Sequence, residues 1–106
     1  MANVMVNAPK TARKGEVVQI KAIVLHPMET GYRVGTNGQM IPRNIIERFT
    51  ATWNGEEIFD MKFSPAIAAN PFVTFFATAS ESGKIGLRWK GDNDFDVEHS
   101  VDIAVE

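Results

Sequence analysis

Apolar and polar residues alternate with a period of two through most of this chain. Over 16–25, Val18, Ile20, Ala22 and Val24 share one face and Gln19 and Lys21 the other, which predicts a strand. Val17, Ile23 and Leu25 place apolar residues on the second face too, so a loop or a partner is expected to cover this strand on both sides. A short strand is predicted at 3–7, followed by Pro9 and a polar turn over 10–15. Ile45, Phe49, Ala51 and Trp53 then alternate with Arg48, Thr50 and Thr52, and Phe59, Met61 and Phe63 keep the same odd parity over 57–63. A two-residue hairpin at Asn54-Gly55 would pair odd with even positions, and a slip of one residue flips every side chain. A three-residue loop closing on a left-handed Gly55 is therefore expected.

The stretch 64–71 has prolines near both ends and small residues between them, which predicts a loop with at most one helical turn. Over 72–79, Phe72 and Phe76 oppose Val73, Phe75 and Ala77, the composition of a central strand covered on both faces. Ile85, Leu87 and Trp89 alternate with polar neighbours, 91–94 is a turn, and Phe95, Val97, Val101, Ile103 and Val105 form the apolar row of a last strand, with His99 half-buried on that row. Six or seven short strands, turn signals about ten residues apart and no amphipathic helix predict one all-β domain over 1–106. Its expected form is an immunoglobulin-like antiparallel β-sandwich with one long irregular loop, Trp53 in the central core position, and no parallel pairs, since helical crossovers are missing. Phe75, Leu87, Trp89, Val97, Val101 and Ile103 complete the predicted core.

Composition narrows the function. A chain of 106 residues, 44% hydrophobic and 23% charged, can bury a core without staples. A net charge of −2 with dispersed Lys and Arg gives no basic stripe for nucleic acid. There is no run of about 18 apolar residues to span a bilayer. Residues 1–8 lack the charged start and apolar centre of a secretory signal, so the residues alone read as cytoplasmic. With no cysteine, this sequence has no disulfide, zinc-thiolate or thiol chemistry.

No constellation points to catalysis. His26, Glu29 and His99 lack metal-ligand spacing, so no metal is expected; a histidine before proline at a strand end instead suits hydrogen bonding to loop backbone. Glu56-Glu57 and Asp92-x-Asp94 fall in turns, and Gly31, Gly35 and Gly38 precede no helix that could cradle phosphate. No cofactor and no enzyme activity are expected. Arg33, Arg43 and Arg48 flank or follow the long loop and could pair with a partner's carboxylates or steer an anion. Met28, Tyr32 and Met40 are candidate interface anchors within it.

The loop also carries a likeness. His26-Pro27-Met28-Glu29-Thr30-Gly31, Arg33, Gly38, Ile41-Pro42-Arg43-x-Ile45-Ile46, Phe49, Asn54-Gly55 and Ser64-Pro65-Ala66-Ile67-x-Ala69-Asn70-Pro71 together resemble the SoxZ family, one half of the SoxYZ sulfur carrier of bacterial thiosulfate oxidation. The resemblance spans nearly the whole chain, with a departure after Trp89, where glycine comes early in the turn. It implies a non-catalytic subunit that forms a heterodimer with a SoxY chain, whose flexible C-terminal arm holds sulfur intermediates on a single cysteine. It also implies transient contact with other sulfur-oxidation enzymes. The family location is the periplasm, reached by export with a signal-bearing partner, which revises the cytoplasmic reading. His26, Met28, Glu29, Arg33, Arg43, Arg48, Asn70 and Pro71 are thus candidates for the partner interface or for organising the loops. The alternative from the residues is a free-standing immunoglobulin-like binding or adhesion module, which would expose no large apolar patch.

Overall fold

A computed structural model describes residues 3–106. Its strands are β1 (Val4–Asn7), β2 (Thr11–Ala12), β3 (Val17–Val24), β4 (Ile46–Trp53), β5 (Glu56–Lys62), β6 (Phe72–Thr78), β7 (Gly83–Gly91) and β8 (Asp96–Val105). They form a three-stranded sheet, β1-β3-β6, and a five-stranded sheet, β2-β8-β7-β4-β5. The molecule is all-β, an immunoglobulin-like sandwich, with no helix among the described residues. The loops 25–45, 63–71 and 92–95 gather at one end, because β3, β5 and β7 finish there and β4, β6 and β8 begin there.

The inner faces hold the predicted rows. Val18, Ile20, Ala22 and Val24 of β3 are buried, facing Phe49, Ala51, Ile85, Leu87 and Trp89 from the other sheet. Aromatic rings join the layers: Phe49 lies 5.0 Å from Trp89 and 5.9 Å from Phe75, and Phe59 stacks on Phe75 at 4.8 Å. Such contacts add specific geometry to a large buried area. Trp89, fully buried on β7, takes the central core position rather than Trp53, which lies nearer the opposite end and donates its indole N–H to the Glu81 carbonyl.

Two β-bulges settle the parity problem at β4. The Asn54-Gly55 turn has two residues, not three: Trp53 pairs with Glu56 and Thr52 with Glu57, and both turn residues have positive φ (51° and 87°), as a type I′ turn requires. Ile58 is then bulged out, so that Ala51 faces Phe59 and Phe49 faces Met61, and the odd rows meet again. A second bulge at Glu47, against β7, lets Ile45 and Ile46 both be buried before the odd row resumes at Phe49. Gly91 sits opposite it. A Cβ there would come within 2.4 Å of the Ile45 carbonyl oxygen, which explains the early glycine after Trp89.

Other expectations are corrected. The polar turn 10–15 contains β2, which pairs in parallel with the end of β8; most of the domain serves as the crossover, so no helix is needed. The strand over 72–78 is an edge strand, and the outer faces of Phe72 and Phe76 are exposed. His99 is exposed, and Val97 and Val101 are half-buried, because the narrower sheet does not extend over all of β8.

Replacing Phe49 or Trp89 with alanine should cost about 3–5 kcal/mol. Urea unfolding followed by far-UV circular dichroism checks this; a loss under about 1 kcal/mol, or a helical spectrum, would contradict the assignment.

Candidate functional site

The loop end is organised around His26. Its side chain is buried, its Nδ1 accepts a hydrogen bond from the Met28 N–H at 3.0 Å, and its ring meets Phe95 edge-on at 4.7 Å. The His26 N–H donates to Asn70 Oδ1 at 2.9 Å, and the Asn70 N–H donates back to the His26 carbonyl at 2.8 Å. Pro71 accepts from the Val24 N–H. One residue thus ties together the three loops that close this end. Because Nδ1 is an acceptor, the neutral ring carries its proton on Nε2. Burial pushes the His26 pKa below its ordinary 6.5; the Asn44 side chain and the Asp92 charge oppose this more weakly. Asn44 Oδ1 is buried without a well-formed hydrogen bond, so desolvation of the ring dominates.

Met28 has a positive φ of 51°, uncommon for a residue with a side chain. Its thioether turns into the core and accepts the Ile46 N–H at 3.3 Å. Met28 is therefore not displayed on the surface. Beyond it the loop is a ragged two-stranded projection rather than a coil. Glu29 and Asn44 exchange both backbone hydrogen bonds at 2.8 Å, and Val34 bridges to Met40 around a turn at Gly38. Gly31 passes close to Arg43, where a Cβ would meet the Arg43 Cβ at 3.2 Å. Tyr32, Val34 and Met40 are exposed on the projection.

Each arginine singled out by sequence has a carboxylate of this chain. Arg33 forks onto Glu29, Arg43 onto Asp92 at 2.8 and 3.1 Å, and Arg48 onto Asp60. Such solvent-screened pairs add little to stability, but they leave little free charge for an anion. Arg43 and the Ile45 N–H together hold the Asp92 carboxyl down at about 2. Among the described residues no group of three His, Cys, Asp or Glu side chains converges on a metal position.

The other conspicuous surface is the outer face of the three-stranded sheet. Met5, Ile23 and Phe72 form one row across β1, β3 and β6. Val17 and Phe76 stand at its far end, and Leu25 follows β3 on the same side by alternation. Met5, Val17, Phe72 and Phe76 are each 60–72% exposed. The two-faced apolar pattern of β3 and β6 signalled this face; Met5 and the roles of Asn44, Asp92 and Phe95 gave no such signal.

A family model described as sulphur oxidation protein SoxZ matches residues 5–102. No curated protein matches. Among solved structures, a superoxide reductase (neelaredoxin) from Ignicoccus hospitalis superposes with a TM-score of 0.71 at 17% identity, covering 97% of this chain and 79% of that one. A putative superoxide reductase from Thermotoga maritima gives 0.66 at 22% identity, with 97% and 85% covered. The sulfur carrier protein SoxY from Chlorobium limicola f thiosulfatophilum gives 0.67 at 10% identity, with 97% and 78% covered. At these identities the likenesses establish a shared sandwich fold.

The neutral His26 predicts a pH dependence. Above pH 6.5 the folded and unfolded histidines are both uncharged; below it the unfolded chain takes up a proton that the folded ring refuses, so stability falls from pH 7 towards 5. The Asp92 pair has the opposite sign and a separate window, its contribution being lost only as pH falls from about 4 towards 2. In urea unfolding, His26→Asn should reduce the slope between pH 7 and 5 and cost about 1–3 kcal/mol at pH 7. An unchanged slope, or stoichiometric zinc or copper that the variant loses, would contradict this role.

Proposed function

The chain belongs to the SoxZ family of sulphur oxidation proteins, and from that premise we propose that it is the non-catalytic subunit of a heterodimeric sulfur carrier in thiosulfate oxidation. The partner is a SoxY-type chain, whose C-terminal arm holds the sulfur intermediates on cysteine while other enzymes of the pathway work on them. The complex acts in the periplasm, and this chain is exported with its signal-bearing partner.

The observation that carries the reading is the absence of a thiol from this sequence of a sulphur oxidation protein. Holding a sulfane sulfur or a thiosulfonate covalently requires a thiolate nucleophile, and this sequence contains no cysteine. Methionine cannot substitute, because a thioether has no proton to lose and forms no disulfide. The covalent step therefore falls to another chain, and this domain contributes a rigid frame and a contact surface. The self-paired arginines support the same division of labour, since the guanidinium forks that could have gripped an anionic substrate are occupied. A free-standing binding module would not need the exposed apolar face of the three-stranded sheet.

The test incubates the co-purified complex with thiosulfate and its cognate enzymes and takes intact masses of both chains under non-reducing conditions. The expected result is an adduct on the companion chain and an unmodified mass for this one. A sulfur adduct on this chain, or full turnover after this chain is removed, would contradict the proposal.

A further inference from the structure

Resting on the carrier reading, we infer that the outer face of the three-stranded sheet is the surface on which the SoxY-type chain docks, and that this partner places a carboxylate opposite Lys21. In a sandwich each sheet turns one face inward and the other to water, and the outer face is normally polar. The five-stranded sheet follows that rule, with Arg48, Thr50, Thr52, Arg88 and Glu98 outside. The three-stranded sheet does not. Its outer face carries Met5, Ile23 and Phe72 in one row and Phe76 and Val17 towards the other end, and no segment of this chain covers it.

The dimensions suit a partner rather than a small ligand. The three strands lie about 4.8 Å apart, and the longest, β3, runs eight residues at about 3.3 Å each, so the face is a strip about 27 Å long, broader than a small ligand would cover. Its concavities, one beside Met5, Lys21, Ile23 and Phe72 and one beside Val17 and Phe76, are wide open to solvent, so the face as a whole suits a broad partner surface. The SoxY structure shares this two-sheet frame over 97% of the present chain, so a SoxY-type partner of that fold also has sheet faces to lay against it.

Charge defines the partner further. Between the apolar ends runs the row Asn7, Lys21 and Thr74, whose one charge is Lys21. The ion pairs among the described residues all involve arginine, so Lys21 has no carboxylate of its own here. An ammonium buried by docking without a counter-charge is strongly unfavourable. A partner carboxylate at that point removes the penalty and fixes register across an otherwise slippery apolar contact.

The experiment measures, by isothermal titration, binding of the full chain to the SoxY-type chain from the same source. Phe72→Asp with Phe76→Asp changes two exposed side chains, and its circular dichroism and melting should stay near those of the unsubstituted chain. It should weaken the heterodimer about 100-fold. Tyr32→Asp with Met40→Asp, on the loop projection, should change it less than about threefold. Lys21→Glu should weaken binding about tenfold at low salt, with the difference shrinking as salt is raised. If the unsubstituted chain binds and the Phe72 and Phe76 variant binds equally well, this docking face is wrong while the carrier reading stands. If the unsubstituted chain does not bind, both fail. If the lone chain dimerises through this face more tightly than it binds the SoxY-type chain, the occupant is a second copy and the assignment is overturned.

Discussion

Three strands packed against five leave one sheet apolar on both faces, with a cover inside the chain for only one of them. The inner contact is satisfied by the Phe49, Trp89, Phe59 and Phe75 rings, which lock the two layers together. Nothing comparable sits on the outer side of β3 and β6. Apolar area left in water forfeits about 25 cal/mol for each Å² that a partner could cover, so this arrangement favours association.

The loop end shows how the sandwich is kept rigid without a disulfide. His26 stitches three loops through short hydrogen bonds to backbone and to Asn70, and Met28 turns its sulfur inward to meet the Ile46 N–H. The Arg43–Asp92 fork closes the same end from the other sheet, with Asp92 also accepting from the Ile45 N–H. Histidine, methionine, asparagine and arginine residues of the kind that often mark active sites are here bound to one another.

Much of this was legible in the sequence because a strand's period of two writes the inner face directly into alternating residues. The rows of β3, β7 and β8 could be read that way, and the double apolar pattern of β3 and β6 marked an apolar outer face. What could not be read were the places where the period breaks. The bulges at Glu47 and Ile58 each insert one residue, and no local composition announces them. A three-residue turn and a two-residue turn followed by a bulge restore the same parity, so the pattern could not choose between them. Phe72 and Phe76 read as a central strand because apolar area left exposed looks the same in sequence as area that is buried. The self-pairing of the arginines was equally hidden, since Arg43 and Asp92 are far apart in sequence and meet only through the fold.

The central claim is that a second chain covers the outer face of the three-stranded sheet, and side-chain footprinting tests it most directly. Hydroxyl-radical labelling of the free chain and of the heterodimer, read residue by residue by mass spectrometry, should show Met5, Phe72 and Phe76 strongly labelled alone and protected in the complex. Tyr32 and His99, exposed elsewhere, should label equally in both states. Equal labelling of Met5, Phe72 and Phe76 in the free and bound chain, with protection on the loop projection instead, would contradict the account.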